Sequence, residues 1–284
     1  MSHQTKKTLT QQADEILKSK LRIGTKKHSE KKGGEHKKWI YSYGTYHDYT
    51  KACYEFLKYC LENHKCRIIE ECHQYIDEWL TYLIDRGYSA YTISKCKCAI
   101  AKLYGESSKE YIDTPPRHRA DITRSRGEKV RDAHFCEITH KDIVVLCESC
   151  GPRRHELAKL RGADLVIDKG EYYVRIKQGK GGKPRLAKVI GDIETIKAIF
   201  DAVKPEEKLF KKIPNGMDVH GYRREYAQRY YDTVARPVEK IPEEKRYVCR
   251  KDKKGIVYDK DAMLIVSKSL GHNRIDVIAG HYLD

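Results

Sequence analysis

The residues of this sequence that could do chemistry include two arginines, each three positions from a second titratable side chain. Arg153 precedes Glu156 by three residues, and His220 precedes Arg223 by three. Side chains three apart share one face of a helix, so Glu156 can orient the Arg153 guanidinium. Lys180 stands in a glycine-rich turn, G-K-G-G at 179–182, from which a lysine can reach away from the body of the protein.

The set is completed by a histidine and a tyrosine near the end of the sequence. His272 follows Leu270-Gly271, and Tyr282 comes ten residues later. A guanidinium presents paired donors that match a phosphate group, which an ammonium cannot copy. A tyrosine hydroxyl can serve as a nucleophile in covalent catalysis. Each residue alone has an ordinary structural explanation, but their combination in this order favours one shared site.

The first half of the sequence predicts helices. Three segments between residues 46 and 103 repeat apolar side chains at three- and four-residue steps, and Gly87 and Gly105 end the last two. Together they predict a small helical domain over 39–113. Residues 1–40 carry 11 basic and 4 acidic side chains, so 1–38 is interpreted as a basic flexible tail. Residues 114–137 are basic and rich in breakers, which indicates a linker.

The region 138–284 mixes both kinds of element. Helical spacing is present near 143–150 and, further on, near 192–203, 218–234, 261–269 and 274–281. Strand-like segments at 163–168, 171–177 and 186–190 predict a small antiparallel sheet, and 246–258 predicts an additional hairpin. The expected fold class is α+β and mostly helical, with a helical domain followed by a mixed domain.

The amino-acid composition indicates which kinds of partner and location this protein is expected to have. Lysine and arginine number 57 against 41 aspartates and glutamates, and the formal net charge of +16 favours a polyanion. No apolar run reaches the about 18 residues of a membrane span, and no secretion signal opens the sequence. The ten cysteines are expected to be reduced thiols of a cytoplasmic protein, and their spacings predict no metal site.

Four segments resemble motifs of the tyrosine recombinase (phage integrase) family, of the type carried by mobile or conjugative elements. The family's G-L-R-x-x-E-L is met by GPRRHEL at 151–157, and its hairpin G-K-G-x-K-x-R by GKGGKPR at 179–185. Its H-x-L-R is met by HGYR at 220–223, and its L-G-H by LGH at 270–272. The resemblance extends from about residue 40 to the end. It implies a core-DNA-binding domain over 39–113 and a catalytic domain over 138–284.

The resemblance implies a site-specific DNA recombinase that cuts and rejoins DNA through a 3′-phosphotyrosyl intermediate, with no cofactor or metal. Tyr282 would be the nucleophile, while Arg153 and Arg223 would stabilise the charge on the phosphate oxygens. The family pattern assigns Lys180 as the general acid for the departing 5′-oxygen.

The family pattern also assigns the remaining site residues. His220 would assist proton transfer at the tyrosine, His272 would donate a hydrogen bond to the phosphate, and Glu156 would support the arginine. Basic residues near the motifs and in the linker would contact DNA: Lys183, Arg185, Arg224, Arg117, Arg119, Arg124 and Arg126. The implied partners are double-stranded DNA with inverted core half-sites, three further copies in a homo-tetramer, and a directionality factor, in a bacterial cytoplasm or nucleoid.

Some features depart from the family pattern. His220 and His272 lie 52 positions apart, longer than the pattern, which fits an insertion at 246–258. The interval from His272 to Tyr282 is one residue longer than usual, so Tyr258 is the alternative nucleophile. Because only two residues follow Tyr282, we expect no exchange of a C-terminal helix between subunits, or exchange of the tyrosine segment itself.

Three other functions stay open at this point. A type IB topoisomerase would share the nucleophile and the arginines but would relax DNA without paired sites. A non-catalytic DNA-binding accessory protein would keep the fold without cutting. RNA binding through the basic surface is a third alternative, for which the sequence has no aromatic stacking motif.

Overall fold

The computed structural model of the protein describes residues 7–25, 30, 34, 37–118, 135–179, 182–250, 253–272 and 274–284. The chain divides into two compact units, Met1–Asp121 and Ile122–Asp284, called here the N-terminal and C-terminal units. The predicted linker at 114–137 spans this division, and 119–134 lie outside the described residues.

The N-terminal unit is helical. Its helices are α1 Leu9–Ser19, α2 Tyr43–His64, α3 Ile69–Cys72, α4 Ile76–Asp85 and α5 Ala90–Tyr104. Ser42 and Ser89 accept a backbone hydrogen bond at the start of α2 and of α5, and Gly105 ends α5 with a left-handed φ of +81°. The apolar face of each helix meets the others in one core, where the rings of Phe56 and Trp79 lie 5.3 Å apart.

The interpretation of 1–38 as a flexible tail is wrong for α1. A capping box between Thr8 and Gln11 begins this helix, and Leu9, Ala13 and Leu17 are buried in the same core as α2 and α5. Leu9, Ala13 and Leu17 form an apolar stripe at four-residue spacing, which packs against the helical domain although the region is rich in lysine. The unit therefore begins before residue 39.

The C-terminal unit mixes helices with small antiparallel sheets. Its first half contains α6 Lys141–Cys150, α7 Arg154–Leu157, β1 Leu165–Asp168, β2 Glu171–Ile176, β3 Arg185–Lys188 and α8 Ile193–Asp201. The sheet has the order β1-β2-β3, with Leu165 opposite Val174 and Val174 opposite Ala187. Val174 and Ala187 are fully buried and pack this sheet on α6 and α8.

The second half contains α9 Val219–Val234, β4 Arg246–Val248, β5 Val257–Asp259, α10 Lys260–Ser269 and α11 Asp276–His281. Strands β4 and β5 pair with Tyr247 opposite Tyr258, so a hairpin is present over the predicted segment; its residues 251–252 lie outside the described ranges. The predicted α+β, mostly helical class is confirmed. In the part of the chain that is described, no helix has the length and apolar character to cross a bilayer.

Candidate active site

Arg153 enters the site from the turn between α6 and α7. Gly151 ends α6 with a left-handed φ of +56°, and a Cβ there would lie 2.5 Å from Cδ1 of Tyr226. Only glycine fits both the backbone and the space. After Pro152, Arg153 precedes the first residue of α7, and its backbone N–H donates to Glu156 Oε2 at 2.8 Å. This contact begins the short helix and leaves the Arg153 side chain facing the interior.

Glu156 is a buried carboxylate that pairs with both Arg153 and Arg185. Its Oε1 accepts from Arg153 Nη1 at 2.8 Å, and its two oxygens accept from Arg185 Nη1 and Nη2 at 2.7 Å each. Burial opposes ionisation of the carboxyl, but the hydrogen bonds and charges of Arg185 and Arg153 outweigh it and lower the pKa to about 2. Glu156 is therefore an anion at neutral pH and orients two guanidinium groups.

Arg185, which is predicted to contact DNA, has a mostly buried side chain that pairs with Glu156. Its side chain is 7% exposed, and besides the Glu156 carboxylate its Nε donates to the Ser269 carbonyl at 2.8 Å. The G-K-G-x-K-x-R motif identifies the residue type but not the direction of the side chain. Arg185 instead joins strand β3 to α7 and to the end of α10.

The L-G-H segment contributes a backbone acceptor that holds both site arginines. The Leu270 carbonyl accepts from Arg153 Nη2 at 3.2 Å and from Arg223 Nη2 at 2.6 Å. Gly271 has a φ of +69°, and a Cβ there would lie 2.8 Å from Cδ of Arg185. The glycine thus permits the turn that directs His272 toward the arginines.

Arg223 lies on α9 and is fully buried. Its Nη1 donates to the Gly151 carbonyl, and its Nε donates to the Tyr282 hydroxyl at 3.2 Å. Burial, together with the charge of Arg153, lowers the pKa of Arg223 to about 10. The group is still a cation at neutral pH, and with Arg153 it supplies positive charge at the Tyr282 hydroxyl.

Tyr282 directly follows α11 and reaches the arginines of its own chain. Its hydroxyl lies 3.2 Å from His272 Nε2, and its ring lies 5.6 Å from the Arg223 guanidinium carbon. His272 Nε2 is also 3.5 Å from Nη2 of both Arg153 and Arg223. The residue is only 9% exposed. The structure thus brings together Arg153, Glu156, Arg223, His272 and Tyr282 from separate segments.

The surroundings of His272 define what this histidine can do. Its Nε2 faces guanidinium donors, which cannot accept a hydrogen bond, so the hydrogen-bond network assigns Nε2 as an acceptor. The Tyr282 hydroxyl can then donate to Nε2 while it accepts from Arg223 Nε. The phenol proton has an acceptor, and the oxygen has a cation beside it.

Two predicted catalytic residues are not among these contacts. His220 lies in the first turn of α9, three residues before Arg223, and is exposed. The imidazole within hydrogen-bond distance of Tyr282 is that of His272, where the family pattern assigned proton transfer at the tyrosine to His220. Lys180, between β2 and β3, lies outside the described residues.

The predicted DNA-contacting residues lie in different surroundings. Lys183 is exposed beside the β2–β3 turn, and the exposed Arg117 lies with its guanidinium 5.6 Å from the Tyr91 ring centre. Arg224 Nη1 is 3.7 Å from Asp284 Oδ1. Three further arginines fall outside the described residues: Arg119, Arg124 and Arg126. Contact of these residues with DNA stays a prediction.

Tyr258, the alternative nucleophile, lies elsewhere. It is buried in β5, and its hydroxyl donates to the Asp284 carbonyl at 2.6 Å. A supporting contact that no motif predicts is made by the Tyr226 hydroxyl, which donates to the Lys188 carbonyl at 2.8 Å and lies 2.7 Å from Ser269 Oγ. Tyr222, Tyr226 and Tyr230 recur at four-residue steps on α9, which indicates the buried face of the helix but not this contact.

Comparisons with known proteins find structural likeness without sequence relatives. No family model matches the sequence, and no curated protein matches it. The chain is similar to the XerH site-specific recombinase bound to palindromic difH substrate, at 16% identity over 84% of this chain and 76% of that chain, with a TM-score of 0.48. It is similar to the Tn1549 transposon integrase in complex with circular intermediate DNA, at 13% identity over 98% and 96%, with a TM-score of 0.49. It is also similar to the XerA recombinase, at 15% identity over 95% and 94%, with a TM-score of 0.34.

Proposed function

We propose that this chain is a tyrosine-type site-specific DNA recombinase, which cuts and rejoins DNA through a 3′-phosphotyrosyl intermediate. The observation that carries the proposal is the position of the Tyr282 hydroxyl, 3.2 Å from Arg223 Nε and 3.2 Å from His272 Nε2. Arg153 is held beside this hydroxyl, because its Nη2 donates to the Leu270 carbonyl and lies 3.5 Å from His272 Nε2. A nucleophile beside two oriented guanidinium groups suits attack on a phosphodiester.

In the proposed cleavage step, the Tyr282 oxygen attacks phosphorus, a tyrosine–phosphorus bond forms, and the bond from phosphorus to the 5′-oxygen breaks. Arg153 and Arg223 donate to the non-bridging oxygens, whose negative charge grows in the transition state. The departing 5′-oxygen takes a proton from Lys180. Attack of a 5′-hydroxyl on the phosphotyrosine then reverses these changes and rejoins the strand.

The phenol proton needs an acceptor, and two histidines compete for this role. The family pattern assigns proton transfer at the tyrosine to His220 and a phosphate contact to His272. The 3.2 Å distance from His272 Nε2 to the Tyr282 hydroxyl supports His272 as the acceptor when the attack begins. His220, one turn before Arg223, then acts at the phosphate or relays the proton.

The proposal extends to the partners. The substrate is double-stranded DNA with inverted core half-sites, on which four copies assemble in the cytoplasm, with a directionality factor acting on the complex. The net charge of +16 supports a DNA partner, because neutralised phosphates release counterions. Lys183 beside the β2–β3 turn, Arg117 in the predicted linker and Arg224 on α9 are described residues proposed to contact the backbone.

The test is capture of the covalent intermediate on nicked duplexes with a randomised core. Cleavage near the nick releases a short fragment, so the phosphotyrosyl complex cannot be rejoined and accumulates. We expect a detergent-resistant protein–DNA complex with the natural chain, and none with Tyr282→Phe. The variant Tyr88→Phe, which changes an exposed tyrosine of the N-terminal unit, serves as the matched control and keeps the complex.

Sequencing the captured DNA identifies the recognised half-sites. Retardation of DNA without covalent product would contradict the proposal and favour an accessory DNA-binding protein. Relaxation of a supercoiled plasmid that lacks the captured site, by a single copy, would favour a topoisomerase instead.

A further inference from the structure

The β4–β5 hairpin contacts the two residues that follow the candidate nucleophile. The Lys253 ammonium donates to the Leu283 carbonyl, and the Tyr258 hydroxyl donates to the Asp284 carbonyl at 2.6 Å. Lys253 Nζ also lies 3.1 Å from the Tyr258 hydroxyl, so the two side chains act on adjacent carbonyls as one group. Tyr258 and Leu283 are both buried, so these contacts are partly shielded from water.

Helix α9 holds Asp284 from another direction. The Asp284 backbone N–H donates to Gln228 Oε1 at 3.0 Å, and the Asp284 carboxylate pairs with Arg224 at 3.7 Å. These side chains follow Arg223 on α9 by one and five positions. The helix that carries the site arginine thus also holds the segment that carries the tyrosine.

The hairpin is itself anchored to the end of α9. Asp259, buried at the end of β5, accepts from Arg236 Nε and Nη2 at 2.6 Å each, and its backbone N–H donates to the Tyr231 hydroxyl at 2.8 Å. The hydrogen bonds from Arg236 exceed the effect of burial and lower the pKa of Asp259 to about 2. Strand β5, which carries Tyr258, is therefore held in place at neutral pH.

The segment that carries Tyr282 needs such support. Helix α11 has only six residues, and after it the backbone N–H groups of Tyr282 and Leu283 share the Ile278 carbonyl. An isolated helix of this length does not persist in water, so its position depends on tertiary contacts. The buried Leu283 and Ile278 supply an apolar anchor, while the carbonyl contacts define the direction of the chain.

We infer that Lys253 and Tyr258 are positioning residues for the nucleophile. By holding the carbonyls of Leu283 and Asp284, they place the Tyr282 hydroxyl beside Arg223 and His272 of the same chain. The inference rests on the proposed role of Tyr282 and assigns a function to the hairpin predicted as an insertion.

The first test measures cleavage by Lys253→Met and Tyr258→Phe in the full chain, on a nicked duplex that carries the captured site. A lost buried hydrogen bond corresponds to about a tenfold loss, so we expect each variant to cut about tenfold more slowly at saturating DNA. The DNA dissociation constant is expected to stay within about twofold, because neither side chain is proposed to contact DNA. Lys253→Arg, which keeps a donor, restores part of the rate.

The matched control is Lys254→Met. This exposed lysine is adjacent in the same turn, so its loss removes the same charge without removing the Leu283 contact. We expect it to cut at the natural rate. Equal slowing by Lys254→Met and Lys253→Met would show that the turn acts through its charge, and would overturn the inference.

The second test needs no DNA and separates the inference from the proposed function. Amide hydrogen exchange of a peptide covering 276–284 is expected to rise about tenfold in both variants, with the rest of the C-terminal unit unchanged. If exchange rises in this way but no chain cuts DNA, the positioning role stands and the proposed function is wrong. Unchanged exchange at 276–284, or increased exchange throughout the unit, would overturn the positioning role.

Discussion

The two units of this molecule differ in what they bury. In the described part of the N-terminal unit, the buried charged side chain is that of Lys97, whose Nζ donates to the carbonyls of Tyr111 and Ile112 at 3.0 and 2.5 Å. The remainder of its core is apolar, apart from cysteine thiols. The C-terminal unit buries a larger charged set: Arg153, Glu156, Asp164, Arg223 and Asp259.

This difference places the cost of burying charge in the unit that contains the candidate site. Removing charges from water costs several kcal/mol per ion unless partners compensate. In the C-terminal unit each guanidinium of the site is held by Glu156 or by backbone carbonyls, and the arrangement leaves Tyr282 beside net positive charge. Stability and the proposed chemistry therefore depend on the same contacts in one unit, while the other unit is stabilised by apolar packing.

The largest expected effect comes from Arg223→Ala. Loss of one preorganised donor costs about 10²–10³ in rate, and Arg223 also contacts the nucleophile, so we expect cleavage to fall about 10³-fold. DNA affinity should change little, since one phosphate contact among many is removed. Single-turnover cleavage of a nicked duplex measures the rate, and fluorescence anisotropy measures the affinity.

The variant Lys97→Met, measured in the same cleavage assay, is the matched control for Arg223→Ala. This variant removes the buried cation of the N-terminal unit, and its rate at saturating DNA is expected to equal the natural one. Normal cutting by Arg223→Ala would remove this arginine from the proposed mechanism.

The second prediction concerns acid unfolding of the C-terminal unit. The pKa of Glu156 is about 2 in the folded chain, below its ordinary value of 4.5. The folded carboxylate binds its proton less readily than the unfolded one, so its stabilisation is full above pH 4.5 and is lost as the pH falls toward 2. The loss is on the order of 3 kcal/mol, at 1.36 kcal/mol for each pKa unit.

Hydrogen exchange at a series of pH values measures this stability separately in each unit. In Glu156→Gln the acid-dependent loss should become smaller, because no proton is taken up there. Glu194→Gln is the control, since that side chain is 81% exposed and its variant should keep the natural pH dependence. An unchanged acid profile in Glu156→Gln would contradict the ion-pair description.

The third prediction separates the two histidines. If His272 accepts the phenol proton, His272→Asn should slow cleavage about a hundredfold, the lower range for general base catalysis. The loss should shrink at higher pH, where hydroxide competes as the base. His220→Asn should then show a pH profile parallel to that of the natural chain. If the rate loss of His220→Asn shrinks at higher pH and that of His272→Asn does not, His220 is the acceptor of the phenol proton instead.

The smallest expected effect is on the stability of the N-terminal unit. Lys97→Met leaves the buried Tyr111 carbonyl and the partly buried Ile112 carbonyl without their donor, which should destabilise this unit by about 2 kcal/mol. Both tryptophans, Trp39 and Trp79, lie in this unit, so tryptophan fluorescence during urea unfolding reports it specifically. A shift seen only in exchange of the C-terminal unit would contradict the assignment of Lys97 to the core of the N-terminal unit.

Much of the secondary structure could be predicted from short sequence patterns. Three- and four-residue apolar steps predicted α2, α4 and α5, and the glycine turn predicted the β2–β3 hairpin, because helix and hairpin periodicity depends on neighbours in sequence. Helix α1 was not predicted, because its apolar residues Leu9, Ala13 and Leu17 lie in a segment rich in lysine. Net charge described the surface of that segment and gave no information about its buried face.

The candidate site was predicted by residue type and order, but not by contact. Arg153, Arg223, His272 and Tyr282 were selected from their motifs, and they lie together in the structure. The contact of Arg185 with Glu156 was not predicted, because a motif does not specify whether a guanidinium faces solvent or a buried carboxylate.

The sequence by itself determined which residue types are available, in what order, and which local elements carry them, since spacing and turn chemistry act over a few positions. Only the tertiary structure decided which imidazole meets the tyrosine hydroxyl, that one carbonyl at Leu270 holds both arginines, and that the hairpin contacts the residues after Tyr282. These contacts join segments far apart in the chain. Their geometry follows from how the cores pack and where charge is buried, which no short stretch of sequence encodes.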